Sequence, residues 1–155
     1  MDYINKLISL FHYHLNCCNP LLIPSVVFDI DGTILNDGVF SPKDYDEVIL
    51  NVYRFLLYLQ SIDIPIFIIT ARPDYPHNRK ETKKMLDKLG INYVKLYMHN
   101  QSENNHIDFK TKSRKNILDN GYKVIMSLGD NYWDYGDYGG LGVHIYNNGE
   151  KMTFH

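Results

Sequence analysis

The sequence predicts an α/β protein, with helices on both faces of a mostly parallel sheet. Short apolar runs of strand length alternate with helical patterns along the chain, the order expected of parallel crossover units. Residues 26–30, 64–69 and 124–128 are apolar almost throughout rather than alternating, as in strands covered on both faces. Each run also ends in polar residues: Asp29 and Asp31 at the first, Thr70 at the second, Gly129-Asp130 at the third. Open parallel sheets collect their functional groups just beyond the carboxyl ends of the strands.

Taken in order, residues 2–15 place Ile4, Leu7, Ile8 and Phe11 at helical spacing, and Asn19-Pro20 and Pro24 end the pattern. Residues 1–24 therefore read as an N-terminal helical extension of a single domain spanning 1–155. The strand at 26–30 is bounded by Gly32. Ser41-Pro42-Lys43-Asp44 has the pattern of a helix start, followed by an apolar stripe of Tyr45, Val48, Val52, Phe55, Leu56 and Leu59. The strand at 64–69 leads to a helix over 76–89, closed by Gly90. A weaker strand at 93–98 and a polar loop at 100–108 precede a helix over 111–120, stopped by Gly121. Strands at 124–128 and 142–146 complete the pattern.

A chain of 155 residues can bury one core of ordinary size. A net charge of −2 gives no global attraction for nucleic acid or an acidic membrane, although a local basic patch stays open. Cys17 and Cys18 are neighbours that cannot easily bridge to each other, so a reducing, cytoplasmic setting is expected. The run 7–11 lacks a basic flank and is interrupted by His12 and His14, unlike a cleaved signal. No stretch approaches the roughly 20 apolar residues that cross a bilayer.

Asp29 and Asp31 are two apart, so on extended backbone both project to one side. Gly32 then permits a sharp turn and brings backbone N–H groups toward an anion. Asp130 and Asp134 supply a second carboxylate pair. Two carboxylates about 4 Å apart repel by roughly 4 kcal/mol at an effective dielectric near 20, so protonation or a hard divalent cation must relieve the cluster. Mg²⁺ suits carboxylates combined with phosphate oxygens.

Asp29-Ile30-Asp31-Gly32-Thr33 after an apolar strand resembles the first motif of the haloacid dehalogenase (HAD) superfamily of phosphohydrolases. Thr70 resembles its second motif, Lys110 its third, and Gly129-Asp130-Asn131-Tyr132-Trp133-Asp134 its fourth. The resemblance spans about residues 25 to 147. It implies a Rossmann-like three-layer core with strand order 5-4-1-2-3. It also implies Asp29 as the nucleophile forming an aspartyl-phosphate, Asp31 as general acid and base, and Thr70 and Lys110 as catalytic contacts to the phosphoryl oxygens. Asp29, Asp31 (through its carbonyl), Asp130 and Asp134 would hold Mg²⁺. Gly32, Thr33, Ala71, Arg72, Arg79 and Arg114 are the further substrate-binding candidates.

Lys110, with Arg114 four residues on and then Gly121-Tyr122, is similar to the acid-phosphatase-like branch; Lys112 and Lys115 lie close by as competitors. The gaps between motifs leave no room for a cap domain, so the site is expected to be open, with residues 33–41 as a small flap. The expected substrate is a small phosphomonoester or nucleotide. The alternatives are a polynucleotide 3′-phosphatase, with Lys80, Lys83, Lys84, Lys110 and Lys112 along a basic groove, and a non-catalytic binding protein of the same fold. Tyr132 and Trp133 read as loop packing.

Overall fold

The computed structural model describes residues 2–17, 19, 21–100 and 105–155. Cys18, Pro20 and residues 101–104 of the expected polar loop lie outside the described residues. The elements are α1 (Tyr3–Leu15), β1 (Ile23–Phe28), α2 (Leu50–Ser61), β2 (Ile66–Pro73), α3 (Pro76–Lys88), β3 (Lys95–His99), α4 (His106–Asp119), β4 (Tyr122–Gly129), β5 (Leu141–Tyr146) and β6 (Lys151–Phe154). They build one six-stranded sheet in the order β3-β2-β1-β4-β5-β6. The first five strands are parallel and in the expected order, and β6 runs antiparallel to β5.

Alternation along the strands sorts the core into two layers. Val26, Phe28, Ile66 and Ile68 face α1, α2 and α3, meeting Leu7, Phe11, Phe55, Leu56 and Leu86. Val27, Phe67 and Ile69 point the other way, onto Phe109 and Ile117 of α4. Three layers result, α/β/α. Phe28 is fully buried between them, and its truncation to Ala would cost about 3–5 kcal/mol. Only α2 and an irregular segment intervene between β1 and β2, and only α3 between β2 and β3.

Three elements differ most from the sequence expectation. The helix expected at Ser41 begins at Leu50 instead, after a single 3₁₀ turn at Tyr45–Glu47. Long-range pairing takes the intervening backbone: Leu35 bridges Val48, and the Ile49 N–H donates to the Ile34 carbonyl at 2.8 Å. Helix α4 starts five residues before the expected position, with the Asn105 side chain accepting from the Asp108 N–H at 2.8 Å. Its buried face carries Lys110, Ser113 and Arg114, which blur the apolar period. Strand β6 was not expected at all. It is a four-residue edge strand that follows a turn through Asn147, Asn148 and Gly149, all at positive φ.

Among the described residues, no helix is long and apolar enough to cross a membrane.

Candidate active site

Asp29 stands one residue beyond β1. Its backbone N–H donates to the Leu128 carbonyl of β4 at 3.0 Å, tying the two strand ends together. The chain then turns tightly, with the N–H groups of Thr33, Ile34 and Leu35 all converging on the Ile30 carbonyl. Gly32 sits in this turn at φ +76°, and a Cβ there would collide with the Asp130 carboxylate. Gly129 is equally constrained: a Cβ would overlap the side chain of Asp134. The two motif glycines therefore exist to let carboxylates approach the backbone.

Lys110 is the hub. Its ammonium is 2% exposed and reaches Asp29 Oδ1 at 3.0 Å, Asp134 Oδ1 at 2.6 Å and the Ile69 carbonyl at 2.7 Å. Thr33 Oγ1 donates to the other Asp29 oxygen at 3.4 Å. Asp134 is held by a capping contact in which its Oδ2 accepts from the Asn131 N–H at 3.0 Å. Its Oδ1 is buried and, apart from the ion pair with Lys110, meets no hydrogen-bond partner.

Asp29, Asp130 and Asp134 each bring an oxygen within 4.8 Å of the other two. Three carboxylates against one ammonium leave two negative charges, the charge of one divalent cation. Burial, reinforced by Asp134 and Asp130 and opposed by Lys110, raises the Asp29 carboxyl well above the usual carboxylate range. Burial raises Asp130 as well. Burial pulls Lys110 down, but the facing charges of Asp134 and Asp29 outweigh it and hold the ammonium above its ordinary value. The donor set, all oxygen and net negative, fits a hard cation such as Mg²⁺.

Asp31 borders the same cavity but stands outside this cluster. Both its oxygens accept from Arg72, Nε to Oδ2 at 2.9 Å and Nη2 to Oδ1 at 2.8 Å. Thr70, at the end of β2's apolar run, is 1% exposed, and its Oγ1 accepts from the Arg72 backbone N–H at 3.2 Å. Asp29, Asp31, Thr70, Ala71, Lys110, Asp130 and Asp134 all border one cavity of about 230 Å³.

Gly32, Thr33 and Arg72 touch the site's aspartates without bordering that cavity, and Arg79 and Arg114 lie apart from it. Arg79 pairs with Asp74 at 2.8 Å on the outer part of α3. Arg114 is buried and donates to the carbonyls of Trp133 and Asp137 at 2.9 and 2.8 Å, bracing the loop that carries Asp134. Lys112 is exposed, while Lys115 pairs with Asp119 on the surface.

Asp37, His106, Asn131 and Trp133 also line the cavity. His106 was not singled out in the sequence, yet it lies one turn before Lys110 and so shares its helix face. The Trp133 ring stacks on His106, with centroids 5.3 Å apart. The expected flap is longer than 33–41. It closes where the Asn36 N–H donates to the Glu47 carbonyl at 2.9 Å, and the Asp37 N–H is tethered to Asn148 Oδ1 at 2.9 Å.

A parallel sheet with this carboxylate–lysine cluster at its carboxyl edge defines an α/β domain of the haloacid dehalogenase type. The chain belongs to the HAD superfamily, subfamily IIIB (Acid phosphatase), whose family model matches residues 16–152. The class C acid phosphatase from Bacillus anthracis shares its fold at a TM-score of 0.59 and 16% identity, over 85% of this chain and 63% of that one. The tungstate-bound crystal structure of that enzyme superposes at 0.62 and 17% identity, over 86% of this chain and 62% of that one. A chain of the Pnkp1/Rnl/Hen1 RNA repair complex superposes at 0.57 and 20% identity, over 75% of this chain and 39% of that one. This chain thus spans a little over three-fifths of the length of the acid phosphatases it resembles. No curated protein matches it in sequence.

Proposed function

We propose that the chain is a Mg²⁺-dependent phosphomonoester hydrolase that works through an aspartyl-phosphate on Asp29. The observation that carries this reading is the buried Asp29 carboxylate, held between the Lys110 ammonium and the Asp130–Asp134 pair. Family membership and the likeness to an acid phosphatase that binds the tetrahedral oxyanion tungstate support it.

In the first step an Asp29 oxygen attacks phosphorus, and the bond from phosphorus to the ester oxygen breaks. Asp31 gives its proton to the departing oxygen. In the second step Asp31 takes a proton from water, the water oxygen attacks phosphorus, and the bond to Asp29 breaks to release orthophosphate. Lys110 and the Thr70 hydroxyl meet the charge that builds on the phosphoryl oxygens. Ala71 borders the phosphate's seat, and the buried Thr33 hydroxyl steadies the nucleophile from behind. Mg²⁺, held by Asp29, Asp130, Asp134 and the Asp31 carbonyl, would supply the positive charge that the three carboxylates lack.

The test is hydrolysis of 4-nitrophenyl phosphate with and without Mg²⁺, by the wild type and by Asp29→Asn. Full activity in the Asn variant would sink the mechanism. A second reading, a polynucleotide 3′-phosphatase, is favoured by the likeness to a chain of an RNA repair complex. Release of phosphate from 3′-phosphorylated oligonucleotides, measured beside nucleoside monophosphates, separates the two. The cytoplasmic assignment rests on the adjacent cysteines, of which Cys17 is exposed as a free thiol.

A further inference from the structure

We propose that Arg72 is a positioning residue that fastens the Asp31 side chain and the 36–47 flap into one unit, so that Asp31 faces the leaving group only while the flap is seated. The proposal rests on the reading of Asp31 as general acid and base. Its own content is the coupling, and that comes from the guanidinium's contacts.

Arg72 is 4% exposed in its side chain, whereas Asp31 is 39% exposed. A nearly buried fork therefore holds a carboxylate that opens toward solvent. Nε and Nη2 grip both oxygens of Asp31, Nη1 donates to Thr82 Oγ1 at 3.2 Å, and the second Nη2 proton reaches the Phe40 carbonyl at 3.0 Å. Four of the five N–H donors of an arginine are committed in this way. As it stands, the guanidinium has no free fork with which to grip a phosphate.

Each partner belongs to a different part of the fold. Thr82 is fully buried in α3 and fixes the fork from behind. Phe40 is the flap's contribution. Its ring lies 4.2 Å from the guanidinium carbon and is itself 44% exposed, so the cation replaces the packing that the ring otherwise lacks. The Arg72 backbone N–H also donates to Thr70 Oγ1, which ties the same residue to the phosphate's seat. A lysine could pair with Asp31 but could not hold two oxygens, a carbonyl and a hydroxyl at once.

The test compares wild type, Arg72→Met and Arg72→Lys in Mg²⁺. Two esters are used: 4-nitrophenyl phosphate, whose leaving anion needs no proton, and glycerol phosphate, whose alkoxide does. If Arg72 acts through Asp31, Arg72→Met lowers kcat/KM, which reports the step that expels the leaving group, about 100-fold on the alkyl ester and less than about 10-fold on the aryl ester. The inhibition constant of orthophosphate then stays within about threefold of wild type. Arg72→Lys remains impaired on the alkyl ester, and adding Asp31→Asn to Arg72→Met brings no further loss. Trypsin cuts after the exposed flap residue Lys43 several-fold faster in Arg72→Met. An orthophosphate constant raised tenfold or more, with equal losses on both esters, would instead make Arg72 a phosphate ligand and overturn the proposal. Unchanged cleavage at Lys43 would overturn the coupling to the flap. A wild type that hydrolyses neither ester defeats the functional reading alone, because the Lys43 cleavage rate still tests the clamp.

Discussion

The two ends of the sheet make different use of empty space. At the amino ends of β2 and β3 lies a cavity of about 340 Å³, bordered by Gln60, Asp63, Ile64, Pro65, Ile66, Asn92, Tyr93 and Val94. At the carboxyl ends the cavity is smaller, about 230 Å³. In the larger one the polar groups are spent on the fold itself. Gln60 donates to the Gly90 carbonyl at 3.1 Å and accepts from the Asn92 N–H at 2.7 Å, and Asp63 is its only carboxylate. The smaller one gathers five aspartates and a buried lysine, with net negative charge left over. Volume does not mark the functional end; uncompensated charge does. A fold has no reason to bury like charges together unless a ligand balances them.

The largest expected contrast between the ends comes from matched substitutions. Asp29→Asn keeps the shape and removes the proposed nucleophile, so turnover should fall by about 1000-fold or more. Asp63→Asn, at the other end and at φ +60°, where asparagine is comfortable, should leave turnover at the wild-type level. Comparable losses from both would abolish the distinction between the two cavities.

Lys110→Met is next. It leaves Asp29 and Asp134 facing each other with no cation between them, and breaking such a buried pair costs about 3–5 kcal/mol. Turnover should drop about 100-fold or more through loss of charge stabilisation at the phosphoryl oxygens. Thermal unfolding without added metal reads the first effect, and steady-state rates read the second. A metal-free Tm equal to wild type would mean that Lys110 does not balance the cluster.

Gly32→Ala tests how closely the turn is fitted to the carboxylates. Forcing alanine to a positive φ costs about 1–3 kcal/mol, and the new methyl pushes against Asp130. Mg²⁺ titration by calorimetry should show weaker binding. Gly38, at φ +85° but with open space around a Cβ, shares the backbone strain without the collision. Gly38→Ala should therefore lose stability and keep its Mg²⁺ affinity, and equal affinity losses would discard the steric explanation.

Much of the functional end was legible because it is written in strand ends. Asp29 and Thr70 each follow an uninterrupted apolar run, and Asp130 follows one broken only by Ser127 and Gly129, the pattern of strands covered on both faces. Lys110 was legible only through its motif, since three lysines lie within six residues and nothing local separates them. The fold separates them by rotating Lys110 onto the inner face of α4 and leaving Lys112 and Lys115 outside. What stayed hidden depends on contacts distant in sequence. The partner of Arg72 is 41 residues away, the start of α2 is set by pairing with Ile34 and Leu35, and α4's first turn is masked by its own buried polar residues. His106 and Trp133 were visible as residues, but their neighbourhood was not.

The smallest expected effect concerns protons and metal competing for the same oxygens. Burial raises the Asp29 and Asp130 carboxyls in the metal-free fold, so both hold their protons to a higher pH there than in the unfolded chain. That contribution to stability is complete below the unfolded carboxylate value of about 4, and it is lost as pH rises through the raised folded values. Mg²⁺ works in the opposite sense, because it binds the deprotonated carboxylates. The gap in Tm between Mg²⁺-loaded and metal-free protein should thus widen from pH 5 to pH 7.5, by a few degrees for each kcal/mol of added binding free energy. Asp29→Asn, which cannot exchange that proton, should flatten the metal-free branch of the curve. Asp63→Asn at the opposite end should not alter either branch. A gap that is constant with pH would mean that the cluster stays ionised without metal, with Lys110 alone enough to balance it.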